Sequence, residues 1–105
     1  MKYALVTGAS RGLGRAVALR LAKRGYCVII NYLSNQSAAE QVKQEIEQEG
    51  GKAELLQFDA SKPKEIEAAI DRWEAAHPDE WIYVLVNNAG IRRDNVMFMM
   101  SDEDW

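Results

Sequence analysis

The segment Thr7 to Gly14 constrains the fold of this 105-residue chain more than any other segment does. Its sequence, TGASRGLG, follows the apolar run Tyr3 to Val6 and precedes a helical pattern of apolar residues. Because glycine has no Cβ, Gly8 permits a tight exit from a strand, Gly12 lets the backbone approach a ligand, and Gly14 lets a helix pack close to a sheet. We therefore predict a strand, a tight turn and a helix in direct succession.

The start of the predicted helix is suited to binding a phosphate. Its first backbone N–H groups have no partner within the helix, and they lie at the positive end of the helix dipole. Ser10, Arg11 and Leu13 stand among the glycines of this turn and complete the set of candidate binding residues. The spacing is G-x-x-x-G-x-G, whereas most dinucleotide-binding folds have G-x-G-x-x-G. Glycine-rich turns also occur as simple helix entries, so the turn alone leaves a purely structural role open.

The end of the second predicted strand indicates which dinucleotide would bind. About 20 residues after such a turn, NAD-binding domains carry an acidic residue that binds the ribose 2′-hydroxyl. Here Asn31 and Tyr32 occupy that place, and no carboxylate lies between Asn31 and Ala39. A 2′-phosphate would then not be repelled, and Arg11 adds a permanent positive charge in the turn. The pattern favours NADP(H) over NAD(H), with a solvated loop arginine as the alternative interpretation of Arg11.

Predicted strands and helices alternate along the whole chain, which indicates an α/β protein. The apolar patterns predict strands over 3–6, 27–30, 53–58 and 81–86, and helices that end at Gly25, Gly50 and His77. A capping box of Ser37 and Glu40 opens the second helix, and Ser61 with Pro63 opens the third. The predicted inner faces of the three helices comprise Leu13, Ala16, Val17 and Leu21, then Ala39, Val42 and Ile46, then Ile66, Ala69, Ile70 and Trp73. Helical crossovers imply a parallel sheet, in the order 3-2-1-4, with helices on both faces.

Three further motifs follow the glycine turn in the chain. Asp59 follows the third strand, Asn87-Asn88-Ala89-Gly90 follows the fourth, and residues 90–95 lead into the segment 100–105. Together with the turn, these motifs resemble the short-chain dehydrogenase/reductase family, and within it the 3-oxoacyl-[acyl-carrier-protein] reductases. The resemblance implies that residues 1–105 are the N-terminal part of a single NADP-binding, Rossmann-type doubly wound domain.

The resemblance also implies roles for residues after the third and fourth strands. Asp59 would contact the adenine through its carboxylate, and Ala60 would do so through its backbone. Asn88, Ala89 and Gly90 would line the adenosine ribose. Ligands of doubly wound folds lie across the carboxyl ends of the strands, where all of these residues stand.

The catalytic residues of the family are expected beyond Trp105. The family takes the proton for the alkoxide from a tyrosine with a lysine four residues later, and no tyrosine of this chain has such a lysine. We therefore expect the first part of a longer reductase, interrupted in a helix after Ser101, with the outer edge of the fourth predicted strand, 81–86, left open. Its substrate would be a 3-oxoacyl thioester of acyl-carrier protein or coenzyme A. The alternatives are a reductase of another small carbonyl compound and a non-catalytic nucleotide-binding fragment.

Composition excludes several other classes of function. The formal charge of −3 provides no basic surface for nucleic acid or anionic membranes, and no apolar run is long enough to span a bilayer.

Cys27 cannot form an internal disulfide and is predicted to be buried, and no metal site is expected. The lone His77 is interpreted as a helix-end residue rather than a catalytic one. The run Met97 to Met100 is interpreted as loop and helix-start packing, with the wall of an acyl cleft or an oligomer contact as alternatives. We expect a cytoplasmic protein that assembles as a homotetramer.

Overall fold

Strands and helices alternate as the apolar pattern predicts. The structure, a computed structural model, describes residues 1–88 and the backbone of residues 97–100. The elements in chain order are β1 (Tyr3–Val6), α1 (Gly12–Lys23), β2 (Cys27–Tyr32), α2 (Gln36–Gln48), β3 (Lys52–Gln57), α3 (Pro63–Ala76), β4 (Ile82–Asn87) and β5 (Met97–Met100). None of the helices in the described residues combines the length and the hydropathy needed to cross a bilayer.

The first four strands form a parallel sheet in the predicted order. The complete order is β3-β2-β1-β4-β5, and β1 lies between β2 and β4. Val6 pairs with Ile30 of β2 on one side and with Val86 of β4 on the other. The carboxyl ends of these strands therefore meet at one edge of the sheet, and the loops that follow them lie side by side.

The fifth strand differs from what the sequence predicts. Met97 to Met100 pair antiparallel with β4, from Asn87 opposite Met97 to Val84 opposite Met100. The prediction that the outer edge of β4 is left open is therefore wrong. An unpaired strand edge presents a row of N–H and C=O groups, and an apolar segment of the same chain satisfies them. Residues 89–96 and 101–105, including the predicted helix after Ser101, lie outside the described residues.

Helices cover both faces of the sheet, as expected for a doubly wound fold. On one face α1 and α2 bury alternate residues of the strands, among them Val28, Ile30, Val84 and Val86. On the other face α3 buries Tyr3, Leu5, Cys27, Ile29 and Phe58 against Ala69 and Trp73. Strands β1 and β2 thus contribute side chains to both layers, which explains their continuous apolar sequences.

Three local predictions for the helices are wrong, one of them at α3, where Lys62 and not Ser61 is the N-cap and makes no side-chain capping bond. The buried positions of α1 are Gly14, Ala18 and Leu21, whereas Leu13 and Ala16 are exposed. Gly14 lies on the buried face of α1, because the absence of a side chain lets that face approach the sheet most closely.

The N-cap of α2 is Asn35, which lies two residues before the predicted cap. Its Oδ1 accepts a hydrogen bond from the backbone N–H of Ala38 at 3.0 Å. The predicted inner face of α2 is confirmed in full.

Candidate functional site

The glycine turn has the geometry that its sequence predicts. Gly8 and Gly12 both have φ of +62°, in the left-handed region that favours glycine. Arg11 is the N-cap of α1, and its side chain makes no capping hydrogen bond. No acidic residue stands in the first turn of α1. The first N–H groups of this helix have no intrahelical acceptors. They lie at the positive end of the helix dipole, with no carboxylate in their own helical turn.

Gly14 is the point at which α1 touches the turn. A Cβ at this position would lie 2.2 Å from the Gly8 carbonyl oxygen and 2.7 Å from Nδ2 of Asn88. Real Cβ atoms do not approach backbone atoms so closely, so only glycine fits here. A Cβ on Gly12 would instead meet no atom within 4 Å. The turn is thus tightly packed beneath Gly14 and open above Gly12, where a ligand would lie.

The end of β4 fixes the turn from one side. Asn88 donates from its side-chain Nδ2 to the carbonyl oxygen of Gly8 at 3.3 Å. The backbone N–H of Asn88 donates to Oγ1 of Thr7 at 2.8 Å, and the Thr7 hydroxyl donates to Oδ1 of Asn87 at 3.1 Å. Sequence reasoning assigned no role to Thr7 beyond its place in the motif. A β-branched hydroxyl residue at the end of a buried strand, directly before a glycine, is the signal that could have found it.

The end of β2 fixes the turn from the other side. Asn31 is only 2% exposed, and its Oδ1 accepts a hydrogen bond from the Gly8 N–H at 3.0 Å. Its Nδ2 donates to the carbonyl oxygens of Leu56 at 3.2 Å and Phe58 at 3.1 Å. The structure therefore places Asn31 beneath the turn, bonded to the protein's own backbone. The neighbouring Tyr32 is half-buried.

The loop after β3 presents Asp59 at the same edge. Oδ1 of Asp59 accepts hydrogen bonds from the Ser61 N–H at 2.9 Å and from the Ser61 hydroxyl at 2.6 Å. These bonds lower the pKa of Asp59, so its carboxylate is an ionised acceptor at neutral pH. Oε1 of Glu65 accepts from the Asp59 N–H at 3.1 Å and ties this loop to α3. Ala60 is half-buried against the α3 side of the core.

The predicted site residues thus fall into two groups. Exposed ones lie along the turn: Arg11, Gly12 and Leu13, with Ser10 half-buried. Buried or bonded ones lie behind them and hold the loops together, namely Gly14, Asn31 and Asn88. Predicted contacts of Ala89 and Gly90 lie outside the described residues.

A second polar cluster lies at the opposite, amino edge of the sheet. The His77 ring stacks on Trp73 with centroids 4.1 Å apart, and Trp73 Nε1 donates to Oε1 of Glu54 at 3.1 Å. His77 directs Nδ1 at the Trp73 carbonyl oxygen, 2.7 Å away, and Nε2 at Oε2 of Glu54, 3.3 Å away. Both partners are acceptors, so this geometry suits the doubly protonated ring. The Tyr3 hydroxyl donates to Oε1 of Glu80 at 3.1 Å.

Burial and charge set the protonation of this cluster. Burial alone would lower the pKa of His77, but the hydrogen bond to the Trp73 carbonyl and the attraction of Glu54 outweigh it and raise the pKa. Burial, aided by the bond to Glu80, raises the pKa of Tyr3 to about 12. Burial likewise raises the pKa of Cys27 to about 11, which keeps its thiol protonated. No group of three potential metal ligands occurs among the described residues. His77 lies far along the strands from the glycine turn, in agreement with a structural role.

Comparisons with known proteins agree with this geometry. The sequence model of the family described as short chain dehydrogenase matches residues 2–105. The 3-oxoacyl-[acyl-carrier-protein] reductase FabG of Staphylococcus epidermidis is 42% identical over 104 residues, which are 99% of this chain and 42% of that protein. A 3-oxoacyl-[acyl-carrier-protein] reductase of Synechocystis is 43% identical over 108 residues, covering 99% of this chain and 41% of the relative. The chain therefore spans about two-fifths of the length of these curated relatives.

Solved structures give the same result. A dehydrogenase/reductase from Sinorhizobium meliloti superposes with a TM-score of 0.76 at 42% identity, over 86% of this chain and 35% of that one. A metagenomic short-chain oxidoreductase in complex with NADP superposes with a TM-score of 0.76 at 39% identity, over 86% and 39% of the two chains. The Rossmann-type sheet, the glycine turn and the match over nearly every residue lead to one conclusion: the chain belongs to the short-chain dehydrogenase family.

Proposed function

We propose that this chain binds NADPH within an enzyme that reduces 3-oxoacyl thioesters to 3-hydroxyacyl thioesters. The observation that carries the proposal is the uncapped start of α1 above an open glycine turn. When bound, the coenzyme would supply the hydride that reaches the β-carbonyl carbon, while a proton completes the hydroxyl group. The residues of this chain supply binding and orientation, and the proton donor is expected beyond Trp105.

The turn would hold the diphosphate. Gly8 and Gly12 adopt left-handed backbone conformations, and the Cβ position of Gly12 faces open space. The amides at the start of α1 donate toward that space, and the helix dipole favours an anion there. The described side chains offer no carboxylate in the first turn of α1 that would compete with the phosphates.

Selection of the 2′-phosphate would come from two features of the adjacent loop ends. Arg11 is exposed at the N-cap of α1, so its guanidinium can turn toward a phosphate without breaking a capping bond. The end of β2 carries Asn31 and Tyr32, both neutral residues, where NAD-binding domains have an acid. A 2′-phosphate would therefore meet a cation, and no carboxylate between Asn31 and Ala39 would repel it.

The adenine would lie over the loop after β3. The Asp59 carboxylate is held by Ser61 at the carboxyl edge, and its lowered pKa keeps it an acceptor for an exocyclic amino group. The backbone of Ala60 follows it in the same loop. Asn88, with Ala89 and Gly90 beyond it, would complete the side of the site that faces the adenosine ribose.

The thioester substrate rests on the relatives rather than on residues of the described site. Proteins named 3-oxoacyl-[acyl-carrier-protein] reductase are 42–43% identical to this chain over almost its entire length. We propose the same substrate class, presented by acyl-carrier protein or coenzyme A, for a full-length cytoplasmic homotetramer. Turnover of acetoacetyl-coenzyme A by the full-length protein with NADPH tests this part, and reduction of only unrelated carbonyl compounds would contradict it.

Calorimetric titration tests the coenzyme assignment directly. We expect NADPH to bind more tightly than NADH, and Arg11→Ala to narrow the difference by about 1.5–3 kcal/mol, the range for a hydrogen bond to a charged group. Arg24→Ala is the matched control, because Arg24 stands at the C-cap of the same helix and should leave both affinities unchanged. Equal affinity of the unaltered protein for the two coenzymes would contradict the 2′-phosphate assignment.

A further inference from the structure

We infer that Asn31 is a positioning residue that sets the distance between the diphosphate-binding turn and the adenine-binding loop, rather than a ligand of the coenzyme. The inference rests on the proposed function and assigns to one buried side chain a role within that site. NAD-binding domains carry an acidic side chain near this position that binds the adenosine ribose. The Asn31 side chain instead bonds to the protein's own backbone.

The side chain of Asn31 makes hydrogen bonds to the backbone of two loops. Its Oδ1 accepts from the N–H of Gly8 in the turn after β1, at 3.0 Å. Its Nδ2 donates to the carbonyl oxygens of Leu56 and Phe58 at the end of β3, at 3.2 and 3.1 Å. The residue is 2% exposed, so its own side chain is shielded from solvent.

Main-chain bonds place the amide between the same two loops. The carbonyl oxygen of Asn31 accepts from the N–H of Ala9 at 3.2 Å, and the N–H of Phe58 donates to the carbonyl oxygen of Tyr32, also at 3.2 Å. Asn31 and its neighbour therefore bridge the turn that leads to α1 and the strand end that leads to Asp59. A shift of either loop would have to break bonds to the same short segment.

The chemistry of the contacts selects an amide over an acid. One end of the side chain faces an N–H donor and the other end faces two carbonyl acceptors, so a single orientation of the amide satisfies all three groups. An aspartate of the same shape would direct a carboxylate oxygen at the Leu56 and Phe58 carbonyl oxygens, without a proton to share. The lack of an acid at position 31 is thus a requirement of the scaffold as well as a feature that spares a 2′-phosphate.

This role predicts a distinctive pattern of coenzyme affinities. The diphosphate and the adenine are common to NADPH and NADH, so loosening the link between their loops should weaken both coenzymes by the same factor. We expect Asn31→Leu to lower both affinities about tenfold, as for one buried donor left without a partner. We expect Asn31→Asp to lower the affinity for NADH as well.

Calorimetric titration of both variants with NADPH and NADH is the test. Trp73→Phe is the control, because it removes a partly buried hydrogen bond at the far edge of the sheet and should reduce stability without changing affinity. A direct contact between Asn31 and the ribose makes the opposite prediction: Asn31→Asp would then strengthen NADH binding. That result, or unchanged affinities in Asn31→Leu, would overturn the inference.

Hydrogen exchange of the free protein separates this inference from the coenzyme assignment. The Gly8 amide should be protected in the unaltered protein and should exchange faster in Asn31→Leu, relative to the amides of β2. Unchanged protection of Gly8 would overturn the inference even if NADPH binds. If the unaltered protein binds neither coenzyme, the proposed function fails, and faster exchange at Gly8 would still support the link between the loops.

Discussion

The two edges of the parallel sheet use polar groups in different ways. At the amino edge the polar side chains bond mainly to one another: Tyr3 to Glu80, and both Trp73 and His77 to Glu54. At the carboxyl edge the side chains of Asn31 and Asn88 bond to backbone groups, and the N-cap side chain of α1 makes no capping bond. The first arrangement closes an end of the domain, whereas the second presents donors to an incoming anion.

The same contrast appears among the three helices. The Asn35 side chain caps α2, and Pro63, which lacks an N–H, begins α3 with Glu65 in its first turn. Helix α1 has neither a capping side chain nor an acidic residue in its first turn. It starts at the edge where ligands of doubly wound folds bind. A helix that folds without a cap forgoes about 1 kcal/mol, and a bound phosphate can restore that interaction.

The largest effect is expected from replacing Gly14, which lies at the carboxyl edge of the sheet. In Gly14→Ala the new Cβ would lie 2.2 Å from the Gly8 carbonyl oxygen, so the turn and α1 must separate. We expect a loss of about 1–3 kcal/mol in the free energy of unfolding, as for an overpacked core. NADPH affinity should fall as well, because the separation moves the phosphate-binding amides. Urea denaturation and calorimetric titration measure the two effects. Retention of full affinity would show that the contact does not shape the site.

A smaller effect distinguishes the two ends of α1. Gly12 and Gly25 both have positive φ, and a Cβ on either would meet no atom within 4 Å. Replacing either one by alanine should therefore cost a similar amount of stability, about 1–2 kcal/mol, for the left-handed backbone alone. Only Gly12→Ala should also weaken NADPH binding, since Gly12 stands at the open start of the helix. Equal losses of affinity in both variants would contradict the assignment of the binding surface to that end.

The smallest effect concerns the amino edge and pH. The folded-state pKa of His77 is raised above its ordinary value of about 6.5. The stabilisation that the protonated His77 ring gives the folded state is therefore fully present below about pH 6.5. It is lost as the pH rises through the folded-state pKa. We expect about 0.5–1 kcal/mol for this partly exposed pair, measured by urea denaturation at acidic and alkaline pH.

Glu54→Gln should flatten this pH dependence, because the amide keeps an acceptor for Trp73 and removes the charge that faces His77. Coenzyme affinity should be the same in this variant and in the unaltered protein at a given pH. An unchanged slope of stability against pH would mean that Glu54 does not control the protonation of His77.

Sequence patterns predicted the sheet order because the signals are local and strong. Four apolar runs, joined by three helical segments, allow few arrangements once crossovers are right-handed. The inner face of α2 was predicted correctly because Ala39, Val42 and Ile46 are the clear apolar positions of an otherwise polar helix. On α1, apolar residues occur on more than one side, so the apolar pattern could not reveal that Gly14 marks the buried face.

The parts that sequence reasoning missed depend on contacts between distant residues. The bond from Gly8 to Asn31 crosses 23 positions, and the bond from Asn88 to Gly8 crosses 80. Periodicity carries no information about such pairs. The pairing of β5 with β4 is likewise tertiary, because the methionine run has no strand alternation and acquires its structure from the edge that it covers. The exposed binding residues of the turn remain predictions that the titrations above will test.

Gly14 of α1 lies against the Gly8 carbonyl so closely that a Cβ would not fit between them. A displacement of the turn would therefore also displace the start of α1. An anion seated there would restrain the far end of α1 together with its near end. A ligand present at one hundred times its dissociation constant should therefore raise the free energy of unfolding by about 2.7 kcal/mol.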